Sequence, residues 1–272
     1  MPERVAIDIE EGVADVRLNR PEKLNALDPA MFDALIETGK ALAGEPSLRA
    51  VVLSGSGRAF CAGLDFSTFM GRTGPSEPGG GPRDLLRREE GSPANRAQRA
   101  AFIWYELPVP VIAALHGVAF GGGFQIAMAA DIRFVAPDAR LSVMEIHWGL
   151  IPDMSGTQML RRLVSLDVAK ELTFTGCIVE GREALALGLA THLSEKPLDA
   201  ARALAREIAG RSPDAIRAAK RLLNRSGVVG LEEGLQLEEE AQLSLLGRPN
   251  QIEAVHARLE KREPKFNDPD EG

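Results

Sequence analysis

The first half of the chain alternates short apolar runs with longer amphipathic ones. The short runs VADVRL, RAVVLSG and VPVIAALHG are rich in β-branched residues and have the length of strands. Between the first two runs, Asp28 and Pro29 supply the N-cap and first-turn residues that open a helix. This alternation predicts an α/β fold with a βα-type core.

The pattern changes after Ser155, where it becomes helical almost throughout. Gly176 and Gly188 are expected at helix C-termini. Apolar residues recur at helical spacing near the end of the chain, namely Ile252, Val255 and Leu259. We therefore predict a β/α core over residues 1–195 and a helical region over residues 196–272 that packs on neighbouring subunits.

An uncharged stretch from Leu107 to Ala130 is long enough to cross a membrane. It also contains Pro108, Pro110 and four glycines, which do not suit a continuous spanning helix. We interpret it as a strand, a turn and a buried helix.

The segment from residue 71 to residue 93 reads GRTGPSEPGGGPRDLLRREEGSP and is rich in Gly, Pro and charge. This composition is typical of a surface excursion inside a domain. Two interpretations stay open, a lid over a ligand and an insertion without a function.

The formal net charge of -7 argues against a general nucleic-acid or anionic-membrane surface, because such partners repel an acidic protein. We therefore expect neither a nucleic acid nor a membrane as a partner. The opening MPERVAIDIEEG carries early acidic residues and no apolar targeting segment, so we expect a cytoplasmic protein.

The two cysteines, Cys61 and Cys177, form no CxxC motif and accompany no histidine cluster. The sequence therefore predicts neither a disulfide framework nor a metal site. Both cysteines are expected to be small buried apolar residues.

The run HGVAFGGGFQIAMAADIR places three consecutive glycines between a strand-like run and a helix-like run. A phosphate cradle is the weaker interpretation, because no P-loop or dinucleotide-binding glycine motif is present. In the stronger one, glycine lets the backbone approach a ligand while N–H groups at the start of the helix meet a developing negative charge. RAFCAGLD suggests a second such donor, the N–H of Leu64, although two ordinary turns are the alternative.

Five segments in order resemble the enoyl-CoA hydratase/isomerase (crotonase) superfamily: RPEKLNAL, RAFCAGLD, HGVAFGGGFQIAMAADIR, MEIHWGLIPDMSGTQMLRRLV and SPDAIRAAKRLLN. The resemblance implies a spiral of ββα units with a C-terminal helical trimerisation region. It also implies a homotrimer or dimer of trimers that acts on acyl-CoA thioesters, with no cofactor beyond the coenzyme A of the substrate. The shared chemistry is an enolate held by two backbone N–H groups.

By position, the resemblance places those two N–H groups on Leu64 and Gly122. It also implies a set of residues that border coenzyme A, of which the last two reach its adenine end: Lys23, Asn25, Ala26, Ala62, Lys261 and Phe266.

Hydratases of this family use two glutamates to hold and deprotonate water, and the matching residues here are Gln125 and Glu145. An amide can orient water but cannot accept its proton at neutral pH, so the two-glutamate mechanism is incomplete. The neighbours Met144, Ile146 and Trp148 predict a desolvated Glu145 with a raised pKa.

Eight residues after Glu145 comes Asp153, and this spacing resembles the acid pair of dienoyl-CoA isomerases. Those enzymes also carry an aspartate where Gln125 stands, so the match is partial. Asp153 could equally cap the following helix.

Three functions follow from these residues. The first is an isomerase of 3-enoyl- or 3,5-dienoyl-CoA in which Glu145 shuttles a proton and Asp153 is the second acid. The second is a 2-enoyl-CoA hydratase in which Gln125 positions water. The third is an acyl-CoA-binding homologue with little catalysis.

Overall fold

The computed structural model describes residues 3–70, 82–88 and 92–269. The strands are β1 (Val5–Glu10), β2 (Val13–Leu18), β3 (Ala50–Gly55), β4 (Val111–Leu115), β5 (Val118–Phe120), β6 (Ile132–Val135), β7 (Arg140–Ser142), β8 (Val179–Glu180) and β9 (His192–Leu193). The helices are α1 (Pro29–Ala43), α2 (Phe66–Met70), α3 (Pro82–Leu85), α4 (Arg96–Glu106), α5 (Gly122–Met128), α6 (Gly156–Leu163), α7 (Leu166–Thr175), α8 (Gly181–Leu187), α9 (Pro197–Ala209), α10 (Pro213–Arg225), α11 (Leu231–Leu245) and α12 (Pro249–Glu260). Short 3-10 helices cover Pro21–Lys23 and Glu145–Trp148.

The larger sheet has the strand order β1-β2-β3-β4-β6-β9. Its first pair is antiparallel and every later pair is parallel. Successive residues of a strand face opposite sides of a sheet. Leu53 accordingly joins the main core with Phe32 of α1 and Trp104 of α4, whereas Val52 packs with Ala201 of α9. The predicted α/β fold is confirmed, and helices cover both faces of this sheet.

A smaller sheet with the order β5-β7-β8 explains how the chain winds. β4 and β6 lie in the larger sheet, and the strands that follow them, β5 and β7, lie in the smaller one. The segment after β3 follows the same path, since Cys61 forms a parallel bridge with Ala119 of β5. The chain therefore winds as a spiral. Each passage from the larger sheet to the smaller one forms a turn, and this turn lies beside the turn of the next passage.

Helix α1 shows how the sequence fixes one of these elements. Asp28 caps it by accepting a hydrogen bond from the N–H of Met31 at 2.9 Å, and Pro29 occupies its first turn, as predicted. Apolar residues at helical spacing, among them Phe32 and Leu35, are buried in the main core. The cap and the apolar face together place the start of α1 beside the loop that precedes it.

The C-terminal half is helical as predicted, and Gly176 and Gly188 end α7 and α8 in the left-handed conformation. The boundary at residue 195 stays a prediction. Helix α9 lies just beyond it and packs on β3, β4 and β6. The structure therefore places α9 with the core, and α11 and α12 contact the rest of the described chain mainly through α10.

The uncharged stretch resolves into β4, β5 and α5, which confirms its interpretation as strand, turn and buried helix. Among the described residues, no helix is long and apolar enough to cross a membrane. Most of the Gly- and Pro-rich segment, residues 71–81 and 89–91, lies outside the described part of the chain.

The two cysteines differ in their environments. Cys61 is buried as predicted, and burial raises the pKa of its thiol to about 12. The prediction of a buried role is wrong for Cys177, which is exposed directly after the C-cap Gly176 of α7. The two thiols are free, and the described residues contain no cluster of His, Cys, Asp or Glu that could hold a metal ion.

Candidate active site

Three separate segments meet where the chain leaves the two sheets. The N–H of Leu27 donates to the carbonyl of Gly63 at 2.8 Å, and the N–H of Asp65 donates to the carbonyl of Leu27 at 2.9 Å. The N–H of Phe120 donates to the carbonyl of Cys61 at 3.0 Å. These bonds hold the RAFCAGLD turn between the RPEKLNAL loop and the glycine turn.

Two of the glycines are required by the backbone at this meeting point. Gly63 has φ +87°, and a Cβ there would lie 2.6 Å from the carbonyl oxygen of Phe120. Gly121 has φ +50°, and a Cβ there would lie 3.3 Å from a carboxyl oxygen of Glu145. Residues with side chains rarely adopt such φ values, so glycine allows the two turns and Glu145 to approach one another.

The amides of Leu64 and Gly122 are the two predicted donors. Neither N–H donates to an acceptor within the described residues. Gly122 is the first residue of α5, where backbone N–H groups have no intrahelical acceptor. Both residues line the same pocket, so the structure leaves two backbone donors available to a ligand there.

This pocket has a volume of about 210 Å³ and a mainly apolar wall. Phe32, Leu85 and Trp148 contribute to that wall, and Trp148 stacks on Phe66 with ring centroids 4.0 Å apart. The titratable groups among its described lining are Glu145 and Asp153. An apolar pocket with a few polar groups is typical of a small-molecule site.

Gln125 is almost fully buried, and its side chain is held at both ends. Its Oε1 accepts hydrogen bonds from the N–H groups of Met154 at 2.8 Å and Gly156 at 2.9 Å. Its Nε2 donates to Oε1 of Glu145 at 2.5 Å. A carbonyl oxygen has two lone pairs, so the protein uses the full accepting capacity of this amide.

Glu145 begins the 3-10 helix that follows β7, and it is buried. Its Oε1 accepts from Gln125, while Oε2 has no hydrogen-bond partner in the described part of the chain. Burial raises the pKa of this carboxyl, and the nearby charge of Asp153 raises it further. The raised pKa predicted from the sequence is confirmed in direction.

Asp153 lies on the loop between this 3-10 helix and α6, and it lines the pocket. The residue is exposed overall, yet partial burial of its carboxyl raises its pKa. Helix α6 has Ser155 as its N-cap, with no side-chain cap hydrogen bond. The structure therefore does not support Asp153 as the cap of α6.

The predicted coenzyme A residues of the first loop lie beside this pocket. The N–H of Ala62, which lines the pocket, donates to the carbonyl of Leu24 at 2.9 Å, and Lys23 is exposed next to it. Ala26 is nearly buried at the end of the same loop. Of these residues, the structure places Ala62 in the lining of the pocket, and Lys23 and Ala26 in the loop that is hydrogen-bonded to it.

Asn25 has a structural task in this loop. Its side chain is fully buried, donates to the carbonyls of Ser56, Ala59 and Phe60, and accepts from the N–H of Arg20. The side chain of Asn25 is therefore not free to bind a ligand, and only its backbone can border one.

Lys261 and Phe266 do not join the pocket of their own chain. Lys261 is exposed at the C-terminus of α12, and Phe266 lies in the tail that follows. The tail is held by Asn250, which bonds the backbone of Asn267, and Arg49 pairs with Asp268. Arg49 precedes β3, whereas the pocket lies beyond the other end of that strand.

An ion pair that the sequence analysis did not assign supports the turn carrying Leu64. Arg20 and Asp65 are both buried, with Nη1 and Oδ2 2.8 Å apart. Burial opposes ionisation of Asp65, but hydrogen bonds from Ser67 and Arg20 outweigh it and hold its pKa below the usual range. RPEKLNAL and RAFCAGLD carry these two residues, but neither motif shows that they meet in space.

The fold and the site together define an α/β protein with paired backbone donors over an apolar pocket. A family model for enoyl-CoA hydratase/isomerase matches residues 8–269. The chain belongs to the enoyl-CoA hydratase/isomerase family, and it has the crotonase-type fold of that family.

Its relatives carry more than one activity in their names. The chain is 34% identical to human mitochondrial enoyl-CoA hydratase domain-containing protein 2, over 94% of this chain and 86% of that protein. It is also 34% identical to the peroxisomal Delta(3,5)-Delta(2,4)-dienoyl-CoA isomerase of Arabidopsis thaliana, over 92% of this chain and 90% of the isomerase. The crystal structure of an enoyl-CoA hydratase from Bacillus anthracis superimposes with a TM-score of 0.87 at 31% identity, covering 98% of this chain and all (100%) of that one.

Proposed function

We propose that the protein is an isomerase that moves a double bond in a 3-enoyl- or 3,5-dienoyl-CoA thioester. The observation that carries this proposal is the state of Gln125, whose oxygen is saturated by two backbone N–H groups. Glu145 is then the buried carboxylate that lines the same pocket as the two free amides. A site with one buried base suits proton transfer along a substrate better than activation of water by two bases.

The thioester oxygen binds at the N–H groups of Leu64 and Gly122. When a proton leaves the carbon next to the thioester, negative charge grows on this oxygen, and two fixed donors stabilise it. Loss of one such donor typically costs roughly 3 to 4 kcal/mol of transition-state stabilisation. The side chain of Leu64 takes no part in this step.

Glu145 acts as the base. Its carboxylate takes a proton from C2, and the electron pair of that C–H bond passes into a dienolate that extends to the thioester oxygen. With a 3-enoyl substrate, the same proton then returns to C4. With a 3,5-dienoyl substrate, protonated Asp153 delivers a proton to C6, and the proton held by Glu145 then passes to Asp153, which restores both groups. In each case a double bond forms next to the thioester. A raised pKa suits Glu145 for both halves of this transfer.

Asp153 serves as the second acid, for protons delivered far from the thioester. It lines the pocket, and its pKa is raised toward the range where it can carry a proton. Its role is greatest for dienoyl substrates, in which the two ends of the conjugated system lie further apart.

Hydration is the alternative, and it meets an obstacle in Gln125. The oxygen of this amide has no lone pair left for a water, and one Nε2 hydrogen already points at Glu145. Glu145, helped by Asp153, would have to perform all proton transfers. We therefore expect hydration to be the slower reaction.

An acyl-CoA-binding protein with little catalysis would have no use for a buried base.

Replacement of Glu145 by Gln tests the proposal. The amide keeps the size of the side chain but cannot accept a proton, so isomerase turnover should be abolished while coenzyme A binding survives. Double-bond migration is followed by the absorbance of the conjugated product, and binding by calorimetry with coenzyme A. Lys23→Ala is the matched variant. It removes an exposed group next to Leu24, whose carbonyl accepts from the pocket residue Ala62, and it should affect binding instead. Retained turnover in Glu145→Gln would overturn the proposal.

We also propose that the protein assembles as a trimer or a dimer of trimers through its C-terminal helices. Exposed apolar side chains on α11 and α12 support this: Leu231, Leu235, Leu243, Ile252, Val255 and Leu259. Such an assembly would bring Lys261 and Phe266 of one chain toward the coenzyme A of a neighbour, since they lie away from the pocket of their own chain.

A further inference from the structure

Helix α10 carries a stripe of arginines that the proposed reaction does not use. Arg217, Arg221 and Arg225 follow one another at intervals of four residues, so they share one face of the helix. Like charges at this spacing repel each other and destabilise a helix. The stripe is therefore unfavourable for α10 alone, and a bound anion would offset this repulsion.

The stripe forms one wall of a groove of about 600 Å³, and Tyr105 of α4 and Arg162 of α6 form another part of the lining. The guanidinium of Arg162 lies 5.0 Å from the ring centroid of Tyr105, and it hydrogen-bonds the Tyr105 hydroxyl. Tyr105 is itself fixed, because its hydroxyl donates to the carbonyl of Asn224 at 2.7 Å. Arg162 is thus positioned toward the groove before any ligand arrives.

Some of the charges at the groove are already neutralised. Arg225 pairs with Glu233 at 2.8 Å, and Lys220 pairs with Asp131 at 2.8 Å. The acid of the groove lining is Glu106, which pairs with Arg99. With these pairs formed, the charge that stays unpaired in the groove is positive, and it comes from the remaining arginines.

Three guanidinium groups of the groove make no ion pair with any described carboxylate: Arg162, Arg217 and Arg221. Arg217 donates from Nη2 to the carbonyl of Leu48 at 3.2 Å, but its Nε is buried without an acceptor among the described residues. Asp214 and Asp268, which line a neighbouring cavity together with Arg217 and Arg221, attract Arg217 electrostatically. Neither forms an ion pair with it. A buried N–H without a protein acceptor is unusual, and an oxygen of a ligand in the groove would satisfy it.

We propose that this groove binds a small molecule that carries two or more phosphate groups. Guanidinium groups bind phosphate oxygens through paired N–H donors, and three of them around one groove match a polyphosphate better than a single carboxylate. Phe102, Pro108 and Val228 supply an apolar part of the lining for the organic portion of the ligand. The volume of the groove lies in the range of small-molecule sites.

The groove is separate from the pocket that holds Glu145, since the two share no lining residue. Two helices nevertheless reach both of them. Ala97 at the start of α4 lines the pocket, and Tyr105 near its end lines the groove. Helix α6 begins at Gly156, which donates to Gln125, and carries Arg162 near its other end. The proposed ligand thus binds without occupying the active site, and the proposal does not depend on the isomerase reaction.

Titration of the protein with inorganic pyrophosphate in an isothermal calorimeter, at low ionic strength, tests the proposal. A saturated acyl-pantetheine, which carries no phosphate group, is present at saturation, so that the active-site pocket is filled. We expect binding that weakens as salt is raised, and a loss of at least about tenfold in affinity in Arg221→Ala, because one charge-assisted contact is removed. Arg221 is exposed, so this variant should fold normally.

Arg161→Ala is the matched control, because Arg161 is exposed on α6 next to Arg162 but does not line the groove. It should bind pyrophosphate as the wild type does, whereas Arg162→Ala should weaken binding as Arg221→Ala does. The proposal is overturned if the wild type binds no pyrophosphate, if the acyl-pantetheine abolishes the binding, or if Arg161→Ala weakens it as much as Arg221→Ala.

Discussion

At the scale of single residues, the chemistry of this protein depends on how Gln125 is held. The sequence shows an amide where two-glutamate hydratases carry an acid, but it does not show the partners of that amide. In the structure, the oxygen of the amide accepts from Met154 and Gly156, and its nitrogen donates to Glu145. Gln125 thus positions Glu145, which is the proposed base, and the loop that carries Asp153.

Replacement of Gln125 by Met should destabilise the fold. The N–H groups of Met154 and Gly156 would stay buried without an acceptor, which costs roughly 1 to 3 kcal/mol for each group. Gln125→Glu should be less harmful at a pH where the two neighbouring carboxyl groups share one proton, because one oxygen still accepts from both amides and the shared proton keeps the bond to Glu145. Urea unfolding followed by circular dichroism measures the difference. Equal stability of the two variants would show that these hydrogen bonds contribute little.

The pH dependence of activity should respond to Asp153. Only the ionised form of Glu145 accepts a proton, so activity should rise with pH, with a midpoint above the ordinary value of about 4.3 for a glutamate. The charge of Asp153 helps to raise the pKa of Glu145. In Asp153→Asn that contribution is lost, and the midpoint of kcat should move to lower pH. A midpoint that stays in place or moves upward would contradict this electrostatic account.

The free energy of unfolding should also depend on the pKa of Glu145, but it should fall with rising pH, whereas activity rises. The folded-state pKa of Glu145 is raised, so the folded protein holds its proton at pH values where the unfolded chain has lost it. The free energy of unfolding should therefore fall as pH rises from the ordinary glutamate value through the raised one. Glu145→Gln should reduce this slope to the part contributed by Asp153, whose pKa is also raised, and urea titrations at several pH values measure it. An unchanged slope in the variant would assign the dependence to another group.

At the scale of elements, much of the fold follows from local sequence. The alternating apolar runs predicted β2, β3 and β4, and the pair Asp28 and Pro29 predicted the start of α1. Gly176 and Gly188 predicted two helix ends. The sheet pairings are different, since the bridge between Cys61 and the strand β5 depends on contacts between distant parts of the chain.

The turns around the two donors depend on such long-range contacts. A Cβ at position 63 would meet the carbonyl of Phe120, which no local pattern reveals. Gly63→Ala should therefore displace the N–H of Leu64 and lower kcat by about 10²-fold or more, as for loss of one oxyanion donor. Gly44→Ala is a matched control, because its added Cβ would meet only an ordinary contact at 3.7 Å and its φ is -89°. Kinetics of both variants on one enoyl-CoA decide the matter, and equal kcat values would argue against the donor role of Leu64.

At the scale of the whole molecule, the resemblance along the chain identified the family, and the structure located the residues that the motifs could not place. Asn25 is a structural residue of its loop, and Lys261 does not line the pocket of its own chain. Arg20 and Asp65 are distant in sequence and meet only after folding. Assembly belongs to this scale too, because it joins surfaces that one chain leaves exposed.

Disruption of the C-terminal helices should change the assembly. Leu259 is 76% exposed on α12, so a charge there should leave the single chain folded but weaken contacts between chains. Light scattering after size exclusion should give a trimer or hexamer for the wild type and smaller species for Leu259→Asp. A monomeric wild type would contradict the proposed assembly.

The most direct test of the central claim is mass spectrometry of 2-trans-enoyl-, 3-enoyl- and 3,5-dienoyl-CoA after incubation with the protein. The account predicts that 3-enoyl- and 3,5-dienoyl-CoA are converted to conjugated isomers of unchanged mass, resolved by chromatography, while 2-enoyl-CoA gains little water. Rapid gain of one water by 2-enoyl-CoA, without migration of the double bond in the other substrates, would contradict it and establish a hydratase.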